Sequence, residues 1–121
     1  MHYVGYIRPP YTIIFLADET GGEAPEPIWG RKILSTRSCV SIGVFPEIDG
    51  RTRLAFGPAR EVWLRREADF DDFVETPTKT LFVSTATGVV LVMGFIETEI
   101  TRVRIWRSHP DWPTRVTIGY G

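Results

Sequence analysis

The stretch Thr80–Trp106, TLFVSTATGVVLVMGFIETEITRVRIW, reads as three consecutive β-strands and decides the fold. Leu81-Phe82-Val83 is the first, closed by the turn formers Thr85-Ala86-Thr87-Gly88. Val89-Val90-Leu91-Val92-Met93 is the second. A run this short, β-branched and followed by glycine suits a strand covered on both faces. Thr101–Trp106 is the third and alternates: Val103 and Ile105 face one way, Arg102 and Arg104 the other, as on a strand with one dry and one wet face. The apolar run is expected to be central, with Val90, Leu91, Val92, Val103 and Ile105 in the core.

Outward from this stretch, the chain repeats the same grammar. Tyr3–Ile7 is a short strand ended by Arg8-Pro9-Pro10, because proline cannot donate to a ladder. Tyr11–Ala17 is a stronger one. Asp18–Pro27 (DETGGEAPEP) is a solvent loop, with Ile28-Trp29 expected to pin its far end to the core. Arg31–Ser38 is ambiguous. Cys39–Phe45 and Arg51–Phe56 flank Asp49-Gly50, a hairpin signal. Glu61–Arg66 reads as strand or one helical turn, with Val62 and Trp63 favouring strand. In Glu67–Glu75, Phe70, Phe73 and Val74 have the spacing of a short helix. A two-proline loop, Arg107–Pro113, leads to a last strand at Thr114–Tyr120 with Val116 and Ile118 inward. About eight short strands at a dozen-residue spacing predict an all-β antiparallel sandwich, or a flattened barrel, as one domain over residues 1–121.

The 121 residues suffice for one core without staples. A net charge of −1 supplies no long-range field for nucleic acid or an anionic membrane. The single cysteine, Cys39, forms no internal disulfide and reads as a buried thiol. No apolar run reaches the length of a membrane span, and the start of the chain does not read as a signal peptide. A cytoplasmic location is expected.

Catalysis finds little support. His2 and His109 are the two histidines, and neither stands in a recognisable nucleophile–base arrangement. Zinc spacings and phosphate-loop glycines are absent, so no cofactor or metal is expected. Glu97 and Glu99 are two apart on a strand, but sugar chemistry needs a cleft between its carboxylates. The acid cluster Glu67, Asp69, Asp71, Asp72 and Glu75 lacks the glycine of a calcium loop. It reads as a solvated connection, with a patch for a basic partner as the alternative. Of the basic residues, 12 are arginine and 2 lysine. Arg102, Arg104 and Trp106 are expected on one strand face, and Arg51 and Arg53 on another. Pairing of Glu97 and Glu99 with Arg102 and Arg104 accounts for the first group. A protein-binding face comes next, and a phosphate or nucleic-acid face last.

Several of these features together resemble the competence protein J family, small bacterial β-sandwich proteins associated with inhibiting a nuclease. They are the early strand with Tyr11 and Phe15, the loop ending in Trp29, Asp49-Gly50, Thr76-Pro77 before Leu81-Phe82-Val83, and Gly88-Val89-Val90-Leu91-Val92. Asp111-Trp112-Pro113 stands where that family's proline-glycine turn is expected, while Tyr120 remains. The resemblance implies a non-enzymatic protein-binding or regulatory role, inhibitor- or immunity-like. A small-molecule-binding β-barrel with weak enzymatic activity is the alternative, to be told apart by a ligand-sized internal cavity. The candidate interface comprises Arg102, Arg104, Trp106, Trp112, Asp69, Asp71 and Asp72. The protein partner is unspecified. A homodimer is also expected, built on an edge strand (the first or last) or on the Trp106–Trp112 region.

Overall fold

The structure, a computed structural model, describes residues 2–121. Its strands are β1 (Tyr3–Ile7), β2 (Ile13–Ala17), β3 (Ile33–Ser35), β4 (Cys39–Gly43), β5 (Thr52–Pro58), β6 (Phe70–Glu75), β7 (Thr80–Thr85), β8 (Val90–Phe95), β9 (Ile100–Arg107) and β10 (Arg115–Tyr120). One helical turn, α1 (Ala59–Val62), follows β5, and a 3₁₀ turn at Pro10–Thr12 precedes β2. Two five-stranded sheets have the orders β1-β5-β10-β9-β6 and β3-β4-β2-β7-β8. Their facing sides make the core: Leu54, Phe56, Val74, Val103, Ile105, Val116 and Ile118 from the first sheet, and Ile14, Leu16, Val40, Ile42, Leu81 and Val83 from the second. The fold is an all-β sandwich and not a closed barrel, with aliphatic side chains where a barrel ligand would sit.

Alternation predicted the inward residues of β9 and β10 correctly, because each lies inside a sheet and has one face on the core. The first sheet is nevertheless mixed. β10 runs parallel to β5, with Arg115 opposite Arg53 and Ile118 opposite Phe56, and antiparallel to β9. A parallel pair joins strands remote in sequence, so no turn signal announces it.

Four expectations are corrected. β8, expected at the centre, is the outer strand of its sheet, paired to β7 alone. Val90 is 48% exposed and Met93 43%, while Leu91 and Val92 only rest against the core. Cys39–Phe45 and Arg51–Phe56 are not a hairpin, since β4 and β5 belong to opposite sheets. Both carry an apolar face, and both faces belong to the one core between the sheets. Asp49 N–H donates to the Pro46 carbonyl in a turn that carries the chain between layers. The segment expected as a short helix near Asp69–Val74 is strand β6, because it pairs along β9 from Phe70 opposite Ile105 to Glu75 opposite Ile100. The helical turn lies earlier, at Ala59–Val62, inside a region read partly as strand. Pro58 precedes it, Trp63 N–H donates to the Ala59 carbonyl, and Ala59 and Val62 lie on β10 at Gly119. A Cβ on Gly119 would stand 3.1 Å from the Ala59 Cα, so the bare strand is what lets the turn settle there.

The loop after β2 is not pinned by Ile28-Trp29, since Trp29 is fully exposed. It is tied at its start by Asp18, a carboxylate only 2% exposed. The Thr20 and Thr78 backbone N–H groups donate to it, as do the hydroxyls of Thr20, Thr78 and Thr80. Burial alone would raise its pKa. The bonds from Thr20 and Thr78 outweigh that and hold it at about 2. Cys39 is buried as expected, and burial pushes its thiol up to about 11.

Candidate functional site

The outer face of the β1-β5-β10-β9-β6 sheet gathers most of the residues singled out in the sequence. Residues directly opposite each other share a face. With Val103 and Ile105 inward, the outward set on β9 is Ile100, Arg102, Arg104 and Trp106, matched on β6 by Asp71, Phe73 and Glu75. Arg102 grips Asp71 in a fork: Nε donates to Oδ1 at 2.8 Å and Nη2 to Oδ2 at 2.7 Å. The guanidinium holds the Asp71 carboxyl below its usual range. Phe73 and Ile100 flank this pair and are 59% and 60% exposed. Arg104 Nη2 donates to the Gly121 carbonyl.

The pairing is not the one expected. Arg102 takes Asp71 across the β6–β9 ladder, and not Glu97 or Glu99. The segment holding those glutamates carries the chain from β8 in one sheet to β9 in the other, so it is not the returning arm of a hairpin. Nor does Asp72 join the face. It stands opposite inward Val103 at the sheet edge, and its Oδ1 accepts from the Phe73 N–H.

Trp106 shares the outward side with the arginines, yet it is buried. The segment 63–69 folds over it, and its indole Nε1 donates to the Arg66 carbonyl at 2.9 Å. It is therefore covered by its own chain. Trp112 lies apart in the β9–β10 loop, half exposed, with Lys32 Nζ 5.3 Å from its ring centre. Asp69 belongs to the covering segment. It accepts from Arg66 at 3.2 Å and from the Arg107 backbone N–H at 2.6 Å. Burial would raise its pKa, and these two donors together with the arginine charges bring it below the ordinary value.

Above Trp106 the structure forms a cleft of about 510 Å³ between segment 63–69 and the β9–β10 loop. Arg53, Arg66, Arg107, Arg115 and His109 line it, with Leu64, Pro110 and Thr117 among the rest and Asp69 as its one carboxylate. Burial pulls the Arg107 guanidinium below its ordinary pKa, against the pull of Asp69 and Asp111. His109 Nδ1 accepts from the backbone N–H groups of Asp111 and Trp112, which places the proton of the neutral ring on Nε2. Sequence reading missed this group, because its members come from four separate segments joined by the parallel β5–β10 pair. Arg53 was marked on a strand face and Arg115 could have been, but nothing local places the two side by side.

Among the described residues, no cluster of His, Cys, Asp or Glu is arranged to hold a metal ion, and no helix is long and apolar enough to cross a membrane. Among solved structures, the chain is similar to ComJ from Bacillus subtilis, described as an inhibitor of the DNA-degrading activity of NucA. The TM-score is 0.65 at 8% identity, covering 98% of this chain and 93% of that one. The likeness suggested by strand order is thus present in three dimensions over nearly the whole chain, and it is a likeness of fold. No protein-family model and no curated protein matches the sequence.

Proposed function

We propose that this protein is a non-enzymatic inhibitor that acts by binding another protein through the outer face of β6 and β9. The observation that carries the reading is the pair of large apolar side chains, Phe73 and Ile100, standing exposed on either side of the Arg102–Asp71 fork. An apolar centre with arginine beside it is the composition that interfaces favour. The pair itself is half exposed and adds little to stability, so it serves a surface better than it serves the core. Of the residues first singled out, Arg102, Arg104 and Asp71 form this surface. The fold shared with ComJ makes a nuclease the first target to try.

The test is a DNA-degradation assay with a NucA-type nuclease from the same cell. Equimolar protein should suppress cleavage, and Phe73→Asp with Ile100→Asp should abolish suppression while the variant stays folded. Undiminished cleavage at a tenfold excess of protein would overturn the reading.

A homodimer is a second reading, and the bare edge of β8 favours it, with Val90, Met93 and Phe95 exposed. The last strand cannot serve, because β10 lies between β5 and β9. Light scattering at tens of micromolar should then give twice 13.8 kDa, and a lysine at Val90 should return the monomer mass.

A further inference from the structure

We propose that the arginine cleft over Trp106 binds the phosphoryl group of a small phosphorylated ligand, held by Arg53, Arg107 and Arg115. Arg53 and Arg115 stand directly opposite each other on adjacent parallel strands and face the same way. Adjacent strands are roughly 4.8 Å apart, so two like charges are set side by side on a sheet. No salt bridge to either is found among the described residues. The carboxylate in the cleft, Asp69, is already engaged by Arg66 and by the Arg107 backbone. Arg107 spends one Nη on the Pro110 carbonyl, while its Nε is enclosed without a hydrogen-bond partner. The result is a local excess of cations on a chain whose net charge is −1. Such an arrangement costs folding energy unless something else requires it, and departures of this kind concentrate at functional sites.

The chemistry of the ligand follows from the donors. A single carboxylate carries one charge and fills one guanidinium fork. A phosphoryl group carries up to about two charges and three acceptor oxygens, enough for several arginines at once. The cleft, at about 510 Å³, is larger than the phosphoryl group alone requires and falls within the range of small-ligand sites. Leu64, Trp106 and Pro110 give the remainder of the ligand an apolar wall. This site is independent of the β6–β9 interface, and its failure would leave that reading untouched.

Calorimetric titration with inorganic pyrophosphate in ~50 mM salt, where screening is weak, tests it. The expected dissociation constant is below about 1 mM. Arg53→Gln with Arg115→Gln should weaken binding at least tenfold, while Arg102→Gln should leave it unchanged. Citrate, a carboxylate of comparable charge, should bind at least tenfold more weakly than pyrophosphate. The proposal is overturned if pyrophosphate gives no binding, if the double variant keeps full affinity with an unchanged melting curve, or if citrate binds equally well. Binding of a short single-stranded DNA without binding of pyrophosphate would also overturn it, and would assign the cleft to nucleic acid.

Discussion

β8 and β9 follow one another in the chain and have opposite fates. β8 reads VLVMGF and is the more apolar, yet Val90, Met93 and Phe95 are exposed. β9 reads ITRVRIWR, carries three arginines, and buries Val103, Ile105 and Trp106. The difference is position. β8 has one neighbour, β7, and forms a rim; β9 has β6 on one side and β10 on the other. Apolar content states how much a strand could bury. The number of strands beside it, and what lies over each face, states how much it does bury.

Truncation of β9 should show the largest effect. Ile105→Ala empties a fully buried site and should cost about 2–5 kcal/mol in urea melts. A loss below ~1 kcal/mol would collapse the distinction between the strands. Next comes the tether that secures β7, the one neighbour of β8. Asp18→Ala leaves the Thr78 and Thr80 hydroxyls without their acceptor and should cost about 1.5–3 kcal/mol. This carboxylate titrates at about 2 when folded, against 3.8 for the free group. Its stabilisation is therefore complete above pH 4 and is lost as pH falls toward 2. The variant should flatten the acid limb of the stability profile over that window, which acid titration by circular dichroism would follow.

The comparison is sharpened by Leu91→Ala in β8. A half-buried leucine at a rim should cost about 1–2 kcal/mol, beneath the range for full core truncation. A cost equal to that of Ile105→Ala would mean that the rim is covered in solution, as the dimer reading requires, and the light-scattering mass would rise with it. Smallest of all, Arg102→Gln should leave the urea midpoint almost unchanged, because both partners of the Asp71 fork are half exposed. A larger loss would give this pair a structural role in place of an interface role.

Local pattern was readable wherever each strand reports on itself. Tyr3–Ile7 was bounded by the prolines that follow it, and the inward pairs Val103/Ile105 and Val116/Ile118 came from period-2 alternation, which survives any strand order. The acidic segment around Phe70 was misread because its 3-and-4 spacing fits a helix, and the edge of β9 that recruits it as a strand lies some thirty residues away. Asp18 looked like any loop acid. Its burial depends on Thr78 and Thr80, about sixty positions on.

The sequence by itself determined the class of the fold, the single layered core, the inert buried Cys39 and the presence of arginine-rich outward strand faces. These follow from side-chain periodicity and composition, which act over a few residues. Only the tertiary structure decided that β4 and β5 lie in opposite sheets, that β10 lies parallel to β5, that Trp106 is roofed over, and that four distant arginines meet in one cleft. Strand order is chosen by packing free energy summed over the whole molecule. Edge and centre, and every site built from separated strands, therefore exist only once the sheets have closed.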